Sequence, residues 1–205
     1  MSGTINFDDI LAMVDQYDDP EELQQLRVTN SDNHIKREFW SNRAKALSTT
    51  DPLTKQRCLT KCALIQQMQG ASIPIKRSIH RFNCPHGIKG IFISSNAEIG
   101  TGCTIFQHVV IGSNTIPDSK SCGFPVIGNN VYIGTGASII GNVRIGNNVR
   151  IGANCIVTED VPDNCVVVLG KPVIIQKKEL DNTFYSAEQF KKIMIGQNRW
   201  PITKK

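Results

Sequence analysis

Isoleucine or valine returns every six residues through the middle of this 205-residue chain: Ile93, Ile99, Ile105, Ile111, then, after a gap, Ile127, Ile133, Ile139, Ile145, Ile151 and Val157. Four residues after each stands a small or β-branched side chain: Ala97, Cys103, Val109, Thr115, Val131, Ala137, Val143, Val149, Cys155 and Val161. A helix places apolar positions near 3.6 residues apart and a half-buried strand places them two apart, so a strict six fits neither alone. It fits a parallel β-helix, in which each hexad makes one short strand and one corner. The aliphatic points inward and the small residue fills the space beside it. Each buried aliphatic is worth roughly 1.5–3 kcal/mol, so stacked rungs supply a core without separate packed layers. The pattern predicts an all-β solenoid over residues 71–175. The missing beat between Ile111 and Ile127 predicts a loop over residues 116–126 that leaves the solenoid.

The flanks follow another period. Asp51 is a good N-cap with Pro52 at the first helical position, and apolar residues at Leu53, Cys58, Leu59, Cys62, Ile65 and Met68 lead to a stop at Gly70. Helices are also expected over 33–47 and over Phe7–Tyr17, which makes residues 1–70 a helical cap. The tail, residues 176–205, carries an amphipathic stretch at Ser186–Ile195, expected to dock on the outside of the solenoid.

Composition narrows the setting. There is no run of 18 apolar residues and Met1–Tyr17 is acidic and polar, so neither a membrane span nor a signal peptide is expected, and the expected location is cytoplasmic. Seven cysteines form no paired C-x-x-C spacing and two fall at inward small-residue positions, which suits reduced thiols used as small hydrophobes. The net charge of +5 is not gathered on an aromatic-rich surface, so nucleic acid is not an expected partner. Between Pro52 and Ala97 there is no acidic residue, while Lys55, Arg57, Lys61, Lys76, Arg77, Arg81 and Lys89 all fall there. Such a face could receive phosphates or an anionic glycan, or be a solvated surface.

Ile133–Gly141 (IGTGASIIG), Ile145–Cys155 (IGNNVRIGANC), Val161-Pro162 with Gly170-Lys171-Pro172, His86-Gly87 and Ile105-Phe106-Gln107 together resemble the hexapeptide-repeat acyltransferases, and among them the serine acetyltransferase branch. The resemblance implies a left-handed parallel β-helix, although crossovers between parallel strands are normally right-handed. It implies acetyl-CoA as donor, no metal, and a homotrimer whose donor groove lies between neighbouring β-helices. His86 falls where that family keeps its general base, a role that suits an imidazole titrating near neutrality; His108 is the reserve. The small-residue corners at Gly112, Gly136, Ala137, Gly152 and Ala153 correspond to the family's pantetheine path, with Arg150 and Lys171 toward the phosphates and an oxyanion donor in the turn after Gly112.

The chain departs from that branch on the acceptor side. Where the branch carries Asp-Arg-His-Pro at the end of its loop, this chain has Cys122-Gly123-Phe124-Pro125. Pro85 stands where the branch has an Asp before its histidine, and the segment Ala71–Pro74 holds no carboxylate. Ser72, a backbone carbonyl or Asp118 is therefore expected to orient His86, with Ser72, Asp118 and Phe124 around the acceptor. A site for a zwitterion loses several kcal/mol when charged partners become apolar. The expected acceptor is thus a sugar hydroxyl, as in the family's surface-polysaccharide members. L-serine, in cysteine biosynthesis, is the alternative, and a non-catalytic scaffold and a three-histidine zinc site are remote ones.

Overall fold

The computed structural model describes residues 32–171, 174–178, 188, 189 and 192. Among the described residues two helices of 17 residues each come first, α1 (Asp32–Ser48) and α2 (Pro52–Met68), followed by eleven strands of two or three residues. Asp51 caps α2 as the sequence predicts, accepting the Thr54 N–H at 2.8 Å. The strands are β1 (Phe92–Ile93), β2 (Glu98–Ile99), β3 (Thr104–Ile105), β4 (Val110–Gly112), β5 (Val126–Ile127), β6 (Tyr132–Ile133), β7 (Ser138–Ile140), β8 (Arg144–Ile145), β9 (Arg150–Ile151), β10 (Ile156–Val157) and β11 (Val166–Val167). The helix expected over Phe7–Tyr17 lies outside the described residues, as does most of Ser186–Ile195.

The strands stack as three parallel sheets, ordered β1-β4-β7-β10, β2-β5-β8 and β3-β6-β9-β11, which are the three walls of a prism. Register follows the hexad. Phe92 pairs with Val110 and Val126 with Arg144, three hexads on, so every inward isoleucine sits above another. Thr104 pairs with Tyr132, because the loop adds its length to that one coil without shifting the register. All ten repeating aliphatics are buried, and so are the small residues beside them except Thr115, which is exposed, and Val161, which is half-buried. Thr115 misses its inward position because the chain has already left the wall at Asn114, which pairs antiparallel with Gly123.

The coil begins earlier than the beat at Ile93. Ser72, Ile79 and Asn83 bridge to Phe92, Ile99 and Thr104, and Ile73, Ile79, Phe82, Cys84, Ile88 and Ile91 are buried beneath the second coil. This first coil is irregular and is held by α1. Its buried residues Ile35, Phe39, Trp40 and Arg43 form one helical face. The guanidinium of Arg43 donates to the carbonyl of Lys76 at 2.6 Å and to that of Ile79, and lies 5.3 Å from the Trp40 ring. Burial pulls its pKa down from the ordinary arginine value, but a guanidinium remains charged at any working pH.

One edge of the prism carries a polar ladder. The Asn129 N–H donates to Asn147 Oδ1 and the Asn147 N–H to Asp163 Oδ1, at 2.9 and 2.7 Å. Beside it Asn130, Asn148 and Asn164 stack through their amides, all three at positive φ, where asparagine is among the tolerated side chains. On the same principle the Arg144 N–H donates to Asp160 at 2.7 Å.

Candidate active site

His86 stands on a turn that its neighbours dictate. Pro85 presets the second position of a β-turn, and Gly87, at φ +74°, closes it by donating its N–H to the Cys84 carbonyl at 3.1 Å. The imidazole is left exposed at a corner that leads into the β1 wall. Side chains of α1 grip the residue two positions before it: Lys36 Nζ donates to the Cys84 carbonyl at 3.3 Å and Trp40 Nε1 to its sulfur at 3.5 Å. The Trp40 ring in turn packs edge-on against Phe82, centroids 4.9 Å apart. Burial pushes the Cys84 thiol up, so it is a packing group and not a nucleophile.

The contact described for the His86 ring is aromatic. It lies 5.7 Å from Phe106, tilted by 47°, and Phe106 lies 5.0 Å from Tyr132. The expected orienting group is not at the ring. Ser72 spends its backbone in the sheet, donating to Ile91 and accepting from Ile93, and exposed Asp118 belongs to the loop. The Phe106 ring packs against the imidazole and makes no hydrogen bond that would select its tautomer. The reserve candidate, His108, has φ +60° and donates its N–H to the Lys89 carbonyl. Its ring covers Gly90 so closely that a Cβ there would meet Nδ1 at 2.2 Å. His80 Nδ1 sits 2.9 Å from the Ile99 carbonyl. Among the described residues there is no group of three or more His, Cys, Asp or Glu that could hold a metal ion.

The donor-side residues divide. Gly136, Ala137, Gly152 and Ala153 fall on corners of successive coils below Phe106, but three of their N–H groups are committed within the coil: Gly136 to Gln107, Ala137 to Gly134 and Gly152 to Val167. Ala137 is fully buried, so its side chain belongs to the core. These corners offer a smooth contact surface more than a row of donors. Arg150 is exposed beside Tyr132, its register neighbour, and both line a cleft of about 290 Å³ with Thr104, Asn130 and Asn148. Gly112, in contrast, lies on the β4 wall and lines the same groove as Ser72, about 810 Å³ in volume. Neither His86, Asp118 nor Phe124 is part of that lining. Lys171 is exposed and opens a second compact unit, residues 171–205.

The basic stretch is partly structural. Lys76 Nζ donates to the Ser95 carbonyl at 2.6 Å and Arg77 to the Leu47 carbonyl at 2.7 Å, tying loops together. A residue that the hexad pattern does not single out is Asn114. Its Oδ1 accepts the Ile116 N–H at 3.0 Å, and its Nδ2 donates to Ser119 and Ser121, each at 2.9 Å. The Ser121 carbonyl then accepts the Asn142 N–H from the next coil. The loop is thereby preformed, with Phe124 40% exposed. An asparagine opening a turn-rich segment is the signal that could have found it.

Residues 124–159 match the family described as bacterial transferase hexapeptide (six repeats). The chain is 43% identical over 83 residues to the serine acetyltransferase of Synechococcus elongatus, covering 40% of this chain and 33% of that protein. It is 35% identical over 103 residues to that of Bacillus pumilus, covering 49% and 46%. The chain thus spans between a third and about half the length of these curated relatives. Among solved structures, the serine acetyltransferase of Neisseria gonorrhoeae superposes with a TM-score of 0.52 at 27% identity, over 83% of this chain and 64% of that one. The same enzyme in complex with serine gives 0.51 at 25%, over 80% and 64%. The coil is accordingly a left-handed parallel β-helix of the transferase hexapeptide type, with a serine acetyltransferase-like sequence, preceded by helices.

Proposed function

We propose that this chain transfers an acetyl group from acetyl-CoA to an alcohol, with His86 as the general base. The observation that carries this reading is an exposed imidazole, held on a rigid turn at the edge of a β-helix similar to those of serine acetyltransferases. An alcohol is a poor nucleophile until its proton is taken in the transition state. His86 removes that proton, the oxygen attacks the thioester carbonyl, and the carbon–sulfur bond breaks to release coenzyme A, which receives the proton. No covalent enzyme intermediate is needed.

The pantetheine arm is proposed to follow the Gly136, Gly152 and Ala153 corners, with Arg150 toward the phosphates and Phe124 and Asp118 reaching an acceptor on an adjacent copy. That arrangement needs a homotrimer.

For the acceptor, the names of the relatives favour L-serine over the sugar hydroxyl expected from the sequence, and they lend nothing to a role in polysaccharide synthesis. A sugar acceptor is a second reading because of one observation: no charged side chain lines the groove that holds Ser72, and since His86 of the same chain lies outside that lining, the base for an acceptor bound there would come from an adjacent copy. Thiol release from acetyl-CoA, assayed side by side with L-serine and with neutral sugars, tests both. Release with L-serine alone decides for the first acceptor and release with sugars alone for the second. No release with any acceptor, together with no acetyl-CoA binding by calorimetry, leaves a non-catalytic solenoid.

A further inference from the structure

The β1-β4-β7 wall carries a groove of about 810 Å³ between the end of α2 and Ile140. Its volume falls within the roughly 300–1,000 Å³ typical of small-molecule sites, and it is far roomier than a free amino acid requires. Its polar groups are all neutral: the hydroxyls of Ser72, Ser94, Ser95 and Ser113 and the carboxamide of Gln66. The Ser94 and Ser113 hydroxyls are hydrogen-bonded to each other across successive coils, so one of them retains a proton to donate outward. Gln66 Oε1 accepts the Ile73 N–H, which leaves its amide nitrogen as a donor. The apolar part of the lining includes the Phe92 ring, 49% exposed on the outward side of β1.

From these features we infer that the groove is a subsite for an uncharged saccharide unit, with Phe92 as the platform for its apolar ring face and the serine hydroxyls and Gln66 as partners for its hydroxyls. The exclusion of an amino acid is electrostatic. The nearest charge is the Lys76 ammonium, which is spent on the Ser95 carbonyl at the groove's rim, and the lining has no carboxylate to receive an ammonium, so a zwitterion would lose water from its charges without a full set of counter-charges in return. The exclusion of a simple acyl chain is the converse, since a wholly apolar ligand would strand the serines and Gln66 without partners. A saccharide satisfies both, because it has a hydroxylated rim and an apolar face. Successive coils also repeat every 4.7–4.9 Å or so, about the reach between hydroxyls on opposite sides of a sugar ring.

This inference rests on the second acceptor reading, and binding without any acetyl donor separates the two. Saturation-transfer NMR on the full chain would use methyl β-D-glucopyranoside and N-acetylglucosamine as probes, with L-serine as competitor. The expected result is transfer to the sugar ring protons that L-serine does not displace. Phe92→Ala and Ser113→Ala should weaken it by about fivefold or more each, the worth of one lost contact. Both residues point out of the core, and an unchanged melting temperature confirms that the variants fold. No transfer to either sugar, displacement by L-serine, or binding that ignores both substitutions overturns the inference. So does a Phe92→Ala variant that changes the oligomeric state and not sugar binding, which would make the ring a contact between copies. Sugar binding in a chain that transfers no acetyl group would uphold the groove and sink the transferase reading instead.

Discussion

The second and later coils and the first coil are built on opposite principles. From Phe92 onward, the loop after Asn114 apart, each hexad repeats the one beneath it, and the backbone ladder with its column of isoleucines sets the register. The coil from Ser72 to Ile91 repeats nothing closely. It is pinned from outside by Arg43, Lys36 and Trp40 of α1, and it carries the only imidazole that the family resemblance marks as a base. A repetitive lattice gives rigidity, while an irregular coil allows a turn such as Cys84–Gly87 to aim a side chain away from the wall. The imidazole proposed as the base stands where periodicity is suspended and side chains replace it.

The largest effect that bears on this contrast is chemical. His86→Ala should lower acetyl transfer by about 10²–10⁴-fold, read as thiol release, with no change in melting temperature because the ring is exposed. An unchanged rate would remove His86 from the mechanism and promote His108. Next comes the lattice itself. Ile133 is fully buried, and Ile133→Ala should cost about 2–5 kcal/mol in denaturant unfolding, felt over the whole β-helix.

Arg43→Met tests the other principle. It strips two carbonyls of their donor at a cost of about 1–3 kcal/mol each where they stay buried. Hydrogen exchange should then quicken at residues 76–91 while the coils from Phe92 onward keep their protection. Uniform loss of protection would show that the first coil is not a separate unit of stability.

The smallest effect lies at the α2 cap. The Asp51 carboxyl is held below the ordinary carboxylate range, chiefly by its hydrogen bond with Thr54. A carboxyl depressed in the folded state stabilises it above the unfolded value, near pH 3.9, and loses that contribution as pH falls through the folded one. Asp51→Ala should therefore slightly lower the melting temperature at neutral pH, and the difference should vanish as the pH falls through the folded-state value.

The same contrast explains what was legible in the sequence. From Ile93 the isoleucine column could be read directly, because a fixed step turns a three-dimensional stack into a one-dimensional pattern. Ile73 and Ile79 keep that step too, but Pro74, Pro85 and extra corner residues separate them from Ile93, so the first coil falls within the expected solenoid of residues 71–175 while its course does not show in the beat. Thr115 has the right spacing and the wrong fate, since phase is lost once the chain leaves the wall. His86 was legible only by resemblance, because its aromatic neighbour Phe106 lies in the next coil and no local pattern joins them. The role of Asn114 depends on hydroxyls five and seven positions ahead, which spacing alone does not link.

The polar ladder along one edge has a direction. Asn129 and Asn147 both accept and donate, so each could hand a hydrogen bond to a rung on either side. In the final turn the acceptors are Asp160 and Asp163, which take the N–H groups of Arg144 and Asn147 and, once ionised, have nothing to donate in return. An unprotected terminal rung is an invitation for another molecule to add itself and begin a fibre. At this edge any such addition would have to bury two anions.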